Sequence, residues 1–152
     1  MYSVGVLSDL QGGFRHGRGC LDQIFILNEV LSKRREMGLS SFLAFIDVKK
    51  AYDRVWRDGL WHKVEATGAD EHCVKMLKAM FARVIRSVHV NGGRTEEFDV
   101  TVGVPQGSVL SPLLYAIFIN GLHQALRVAG LGMRVYGRLV PLLLYADDIV
   151  LL

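Results

Sequence analysis

Cysteine, proline and long apolar runs are scarce in this chain, and each scarcity narrows what the protein is. Two cysteines, Cys20 and Cys73, occur in 152 residues, far apart and in helical patterns. A disulfide or a thiolate metal pair is therefore disfavoured, and buried free thiols in an intracellular setting, nuclear or cytoplasmic, are expected. The longest apolar run, Pro112 to Ile119, is far shorter than the roughly 18 to 20 residues of a membrane helix, so no membrane partner is expected. No charged segment leads into an apolar one at the start of the chain, so no secretion signal is read there. With three prolines, no linker, no internal repeat and no low-complexity tract, the length suits one domain. Apolar residues make up 51% and mean hydropathy is +0.27, enough to build a core.

Charge is informative only in its placement. The net charge is +3 and the isoelectric point is near 9.0, a mild lean toward nucleic acid. Basic residues cluster at Arg15-His16-Gly17-Arg18, Lys33-Arg34-Arg35 and Lys49-Lys50. Each cluster is more often just a solvated face.

The stretch Pro141 to Leu152 carries the strongest chemical signal: two adjacent acids, Asp147 and Asp148, between apolar β-type runs. Successive strand residues face opposite ways, so strand, tight turn, strand is the arrangement that brings both acids to one tip. Charges beside a core are costly without compensation, and a divalent metal supplies it. A third acid, Asp47, ends the apolar run Ser41 to Ile46, which reads as a buried strand. A helix cap or a salt bridge to Lys49 or Lys50 would explain Asp47 as well. Three aspartates with no histidine or thiolate suit Mg²⁺, with Mn²⁺ as substitute. Two such ions clamp the attacking and leaving oxygens of a phosphoryl transfer. A buried structural acid cluster remains the equal alternative at this point.

The remaining elements follow from periodicity and punctuation. Residues 1–19, with five glycines, read as loop with a short extended stretch at Ser3 to Leu7. Cys20 to Met37 is expected to be a helix burying Leu21, Ile24, Leu27 (or Asn28) and Leu31, closed by Gly38. Asp58 should cap a helix from Gly59 to Thr67. Asp70 should open another, running to about Ile85 with Cys73, Leu77, Met80 (with Phe81) and Val84 inward. Asn91-Gly92-Gly93 signals a hairpin between Ser87–Asn91 and Phe98–Val102. Gly103 to Ser108 is a constrained loop, and Ser111-Pro112 starts a buried helix to about Val128. A short strand over Gly132 to Gly137 and Arg138-Leu139-Val140 leads into the acid hairpin. The chain stops inside an apolar run at Leu152, which reads as a piece of a longer protein.

Four blocks in order then carry a family resemblance. Phe45-Ile46-Asp47 through Tyr52-Asp53, Gly103-Val104-Pro105-Gln106-Gly107-Ser108 through Pro112, and Tyr145-Ala146-Asp147-Asp148 resemble three signature blocks of a reverse transcriptase. Gln11-Gly12-Gly13-Phe14-Arg15 to Arg18-Gly19, followed by Asp22-Gln23-Ile24, resembles the upstream block of non-LTR, LINE-like retrotransposon polymerases. The resemblance implies an α+β right-hand polymerase palm, an antiparallel sheet with helices on one face, with incomplete fingers and no thumb. Residues 1–152 would be one partial domain, 1–40 on the fingers side leading into the palm and 41–152 the palm itself.

It also implies roles. Asp47 and Asp147 would hold two Mg²⁺ ions, with Asp148 supporting and the Val48 carbonyl as an extra ligand. Tyr52 would lie beneath the incoming sugar, clashing with a ribose 2′-hydroxyl. Gln106 and Gly107 would line the nucleotide pocket, and Arg15 and Arg18 would contact nucleic acid. Partners would be an RNA template, a DNA primer, dNTPs and the rest of a polymerase chain, whose absence would leave this piece weak or inactive alone.

Three readings compete with it. An RNA-templated RNA polymerase or a two-metal nuclease fits less well, since such polymerases more often place glycine where Ala146 stands. A non-catalytic RNA-binding sheet should expose aromatics for base stacking, whereas Phe42, Phe45 and Phe98 sit in patterns suited to burial. A decayed retroelement copy should have lost acids, yet all three are in place.

Overall fold

A computed structural model describes residues 5–152. Helix α1 (Cys20–Glu36) starts where the Gly19 N–H donates to the Asp22 carboxylate at 2.6 Å. It ends with Lys33, Arg34 and Arg35 against the helix dipole and Gly38 at φ +70°. The helix is as expected, but its inward face is Gln23, Ile26 and Val30, while Leu21 and Ile24 are exposed. The run Ile24-Phe25-Ile26-Leu27 is apolar all round, so periodicity there does not fix the rotation. The expected extended stretch at Ser3–Leu7 lies partly outside the described residues, and residues 5–7 form turn and bend.

Strand β1 (Ala44–Asp47), β8 (Leu142–Tyr145) and β9 (Asp148–Leu151) make one antiparallel sheet in the order β1-β9-β8. β1 was expected to be buried; it is an edge strand, and all four of its residues are exposed. Phe42 is 85% exposed, Phe45 71% and Phe98 48%, so the aromatics expected inside are outside. Leu142, Leu144 and Ile149 form the buried face, against half-buried Ile119, Leu122 and Leu126. The opposite face meets α1: Ile26 and Val30 pack with Leu43, Leu152, Met133 and Val135. Helices thus flank both faces of the sheet, not one.

The main core lies between α2 (Arg57–Ala66), α3 (Glu71–Ala82) and α4 (Ser111–Ile119), around Leu60, Trp61, Val74, Phe81 and Leu114. α2 begins at Arg57, so Asp58 sits in its first turn rather than at its cap. Arg57 is held there by the carbonyls of Gly103, Phe81 and Val102. Asp70 does cap α3, accepting from the N–H groups of His72 and Cys73. α3 stops at Ala82 and buries Val74 and Phe81, leaving Cys73 and Met80 exposed. Both cysteines are free, as expected, but exposed rather than buried.

The Asn91-Gly92 hairpin is present in two short pieces: β2 (Ile85–Arg86) with β5 (Phe98–Asp99), and β3 (His89–Val90) with β4 (Gly93–Arg94). Residues 87–88 face 95–97 between the pieces, a bulge in which the Thr95 hydroxyl accepts from the Val88 N–H. The expected long helix to Val128 breaks at Asn120 into α4 and α5 (Gly121–Val128). Asn120 turns its amide to residues 6 and 8 instead of the helix. No residue of α5 is buried. Strands β6 (Met133–Val135) and β7 (Arg138–Val140) then pair as a hairpin before β8. No helix among the described residues is long and apolar enough to cross a membrane.

Candidate active site

The acids are assembled by strand register. Asp47, the last residue of β1, pairs directly with Asp148, the first of β9, and Asp148 pairs in turn with Tyr145 of β8. Directly opposed residues of an antiparallel pair present side chains on the same face. Asp147 lies in the Ala146-Asp147 turn joining β8 to β9, with Ala146 at φ +59°. Asp47 and Asp148 are exposed and Asp147 is half-buried. Among the described residues none of the three forms an ion pair, so neither Lys49 nor Lys50 neutralises Asp47. Nor does Asp47 cap a helix, since residues 49–54 are turn.

The side chains do not converge on one point. Among the described residues no three His, Cys, Asp or Glu groups stand close enough to hold a metal ion. Asp148 lines the groove beneath α1, while the Asp147 carboxylate is near enough to two tyrosines to act on both. Tyr52 and Tyr115 stack with ring centroids 5.0 Å apart and planes at 28°. Burial, then the Asp147 carboxylate, then Tyr52 push the Tyr115 phenol up to about 12. Burial first and Asp147 second raise Tyr52 as well. In donor type, three carboxylates with no histidine or thiolate, the acids suit a hard divalent ion.

A second loop is stitched to the segment after Asp47. The Val104 N–H donates to the Tyr52 carbonyl at 2.8 Å and the Gly103 N–H to the Val55 carbonyl at 2.9 Å. Gln106 Nε2 lies 3.4 Å from Asp53 Oδ2, and Gly107, at φ +86°, has open space where a Cβ would stand. The Val48 carbonyl accepts from the Ala51 N–H at 3.1 Å, which occupies one of its two lone pairs. From Asp47 and Asp148 a groove of about 390 Å³ runs beneath α1, past Phe45, Leu143 and Val150.

An acid pair at a hairpin turn, a third acid across the neighbouring strand and a loop beside them correspond to three of the four sequence blocks. The profile of the family described as reverse transcriptase (RNA-dependent DNA polymerase) matches residues 1–152. The chain belongs to the reverse transcriptase family.

Its relatives bear out the likeness to LINE-like, non-LTR retroelements. A probable RNA-directed DNA polymerase from transposon BS of Drosophila melanogaster is 34% identical over 97% of this chain and 16% of its own length. The RNA-directed DNA polymerase from mobile element jockey of Drosophila funebris is 34% identical, over 93% of this chain and 15% of its own. The Pol polyprotein of the type-2 retrotransposable element R2DM, from Drosophila melanogaster, is 30% identical over 93% and 13% respectively. The chain spans 13–16% of the length of these curated relatives.

Within this reverse transcriptase segment, Arg15 and Arg18, the two arginines expected to contact nucleic acid, both bond within their own loop. Arg15 Nη1 donates to the Ser8 carbonyl at 2.8 Å and the Gln11 carbonyl at 3.2 Å, serving its own loop. Arg18 donates to Asp9 at 3.1 Å. Two residues near the acids escaped the sequence reading. Tyr115 hid in an apolar helix, with only its offset of three from Pro112 to place it on the inner face. Gln11 is 1% exposed and bonded to Ala146, although its glycine-rich surroundings read as surface loop.

Proposed function

We propose that Asp47, Asp147 and Asp148 form the metal-holding centre of an RNA-directed DNA polymerase, which adds dNTPs to a primer 3′-hydroxyl on an RNA template. One observation carries the reading: Asp47 pairs directly with Asp148, next to Asp147 in the turn, and among the described residues none of the three forms an ion pair. Residues 41–152 would form the palm and 1–40 the fingers side. The Val48 carbonyl keeps one lone pair for the same ions. Bound Mg²⁺, or Mn²⁺ in its place, would lower the pKa of the attacking hydroxyl and offset charge at phosphorus.

The chain's own residues then position the substrate. Tyr52 is the floor for the incoming sugar, held from behind by its stack on buried Tyr115. Both phenols are shifted upward and stay neutral at physiological pH, adding no negative charge beside Asp147. Gly107 leaves the backbone open on the nucleotide side, and the Gln106 amide lies next to Asp53. Partners on this reading are RNA template, DNA primer and dNTPs.

The exposed aromatics reopen one rival. Phe42 and Phe45 stand out from β1 and its approach, as a base-stacking RNA-binding sheet would have them. That module has no use for three acids gathered at one end of the sheet. Primer extension separates the readings. The complete polymerase chain that carries this segment should extend an annealed primer with dNTPs and Mg²⁺. Asp47→Asn or Asp147→Asn should abolish extension while leaving RNA binding intact. Extension that survives either change would refute the assignment.

A further inference from the structure

The acid-bearing turn is held by a residue 135 positions away in sequence. Ala146 adopts φ +59°, a conformation disfavoured by any residue with a Cβ. Sequence within β8 and β9 supplies no glycine or asparagine to make that turn easy. The compensation comes from Gln11. Its Oε1 accepts from the Ala146 N–H at 3.0 Å and from the Gly13 N–H at 2.8 Å. Its Nε2 donates to the Ala146 carbonyl at 3.2 Å. One side-chain amide thus satisfies both backbone groups of Ala146, and with the Ala146 N–H and carbonyl as partners its orientation is fixed.

The backbone around Gln11 is fitted to the same place. Gly12 N–H donates to the Leu144 carbonyl at 2.8 Å, and Leu144 N–H to the Leu10 carbonyl at 2.9 Å, so residues 10–12 lie along the edge of β8. A Cβ on Gly13 would stand 2.1 Å from Ala146 N and 2.7 Å from its Cα. Arg15 braces the loop through the Ser8 and Gln11 carbonyls. Covering the edge of β8 needs only this backbone; any side chain at position 11 would serve. The amide on Ala146 serves the turn alone.

We infer that Gln11 is a positioning residue for nucleotidyl transfer: it holds Ala146 and so fixes the turn that carries Asp147. The inference rests on the acids' being catalytic. A shift of the turn displaces a reacting-site carboxylate without touching the nucleotide floor at Tyr52, so kcat falls while KM for dNTP stays.

The test uses the complete polymerase chain carrying Gln11→Glu, Gln11→Met or Gly13→Ala. Glu keeps the acceptor, loses the donor and sets an oxygen against the Ala146 carbonyl; Met removes both; Ala at 13 pushes on Ala146 directly. Backbone hydrogen exchange and steady-state primer extension are the two readouts. Exchange over residues 142–150 should quicken by about an order of magnitude while α3 exchanges as before. The kcat should drop on the order of ten- to a hundredfold, with KM for dNTP within about twofold. Unchanged exchange at 142–150 in all three variants overturns the clamp. Faster exchange throughout the domain makes Gln11 a general packing residue and overturns its positioning role, as does a loosened turn with unchanged kcat. The exchange arm is independent of the catalytic reading. Were the unmodified chain to extend no primer, that reading would fall while a local change at 142–150 would still support the clamp.

Discussion

Gly103→Ala and Gly107→Ala form a matched pair that tests how the loop before α4 is held. Both glycines are left-handed, at φ +81° and +86°, so each substitution bears the same backbone cost, about 1–2 kcal/mol. Their surroundings differ. A Cβ at 107 meets nothing within 4 Å, whereas one at 103 falls 2.5 Å from the Asp53 carbonyl oxygen and 2.7 Å from its carbon. Those are backbone atoms of the segment that carries Tyr52, and they do not move aside as a side-chain tip would. Forcing a methyl into such a contact adds about 1–3 kcal/mol. Gly107→Ala should therefore destabilise by about 1–2 kcal/mol and Gly103→Ala by about 2–5 kcal/mol. Urea denaturation of the purified protein, followed by far-UV circular dichroism, measures both, and an unchanged slope would show that the denatured state is unaltered. Equal midpoints for the two variants would refute the close packing of Gly103 on Asp53.

Two further outcomes follow from the tyrosine pair. Because the Tyr115 phenol is raised from 10.0 to about 12 in the folded protein, the unfolded chain loses that proton first. The stability it contributes is whole below pH 10 and is lost as pH rises toward 12. Tyr115→Phe should flatten that alkaline loss in thermal melts at stepped pH, and an unaltered profile would sink the linkage. Tyr52→Ala should lower the dNTP-over-rNTP ratio of kcat/KM by about tenfold or more, since the ring rather than a hydrogen bond does the excluding. Unchanged discrimination would count against Tyr52 as the sugar floor.

What the sequence discloses depends on whether the signal is local. The acid hairpin, the Asn91-Gly92 turn and the Asp70 cap each rest on a few adjacent residues, and each stands where the sequence puts it. Rotation of α1 and the burial of β1 rest on partners far along the chain. Ile24 to Leu27 offers every side of the helix an apolar residue, so tertiary packing chose Gln23, Ile26 and Val30. β1 reads as buried because it is apolar, yet only β9 pairs with it and its side chains reach solvent. The break at Asn120 has the same origin. Its side chain gains hydrogen bonds to Val6 and Ser8, more than a hundred residues away, and an apolar helix shows no trace of that bargain.

The three acids of the proposed site show the limit most clearly, because the residues were legible and the contact that holds their turn was not. Tyr145-Ala146-Asp147-Asp148 announces a turn by its chemistry, but its second residue is a poor choice for the conformation it takes. A sequence that is locally at odds with its fold marks a site where something else supplies the difference. Here that something is the amide of Gln11, brought across by residues 10–12 lying along β8. Glycine at 146 would make the turn easy and leave it mobile. Alanine held from outside gives a turn with fewer accessible states, so a carboxylate mounted on it is held in place, as the proposed nucleotide addition would require.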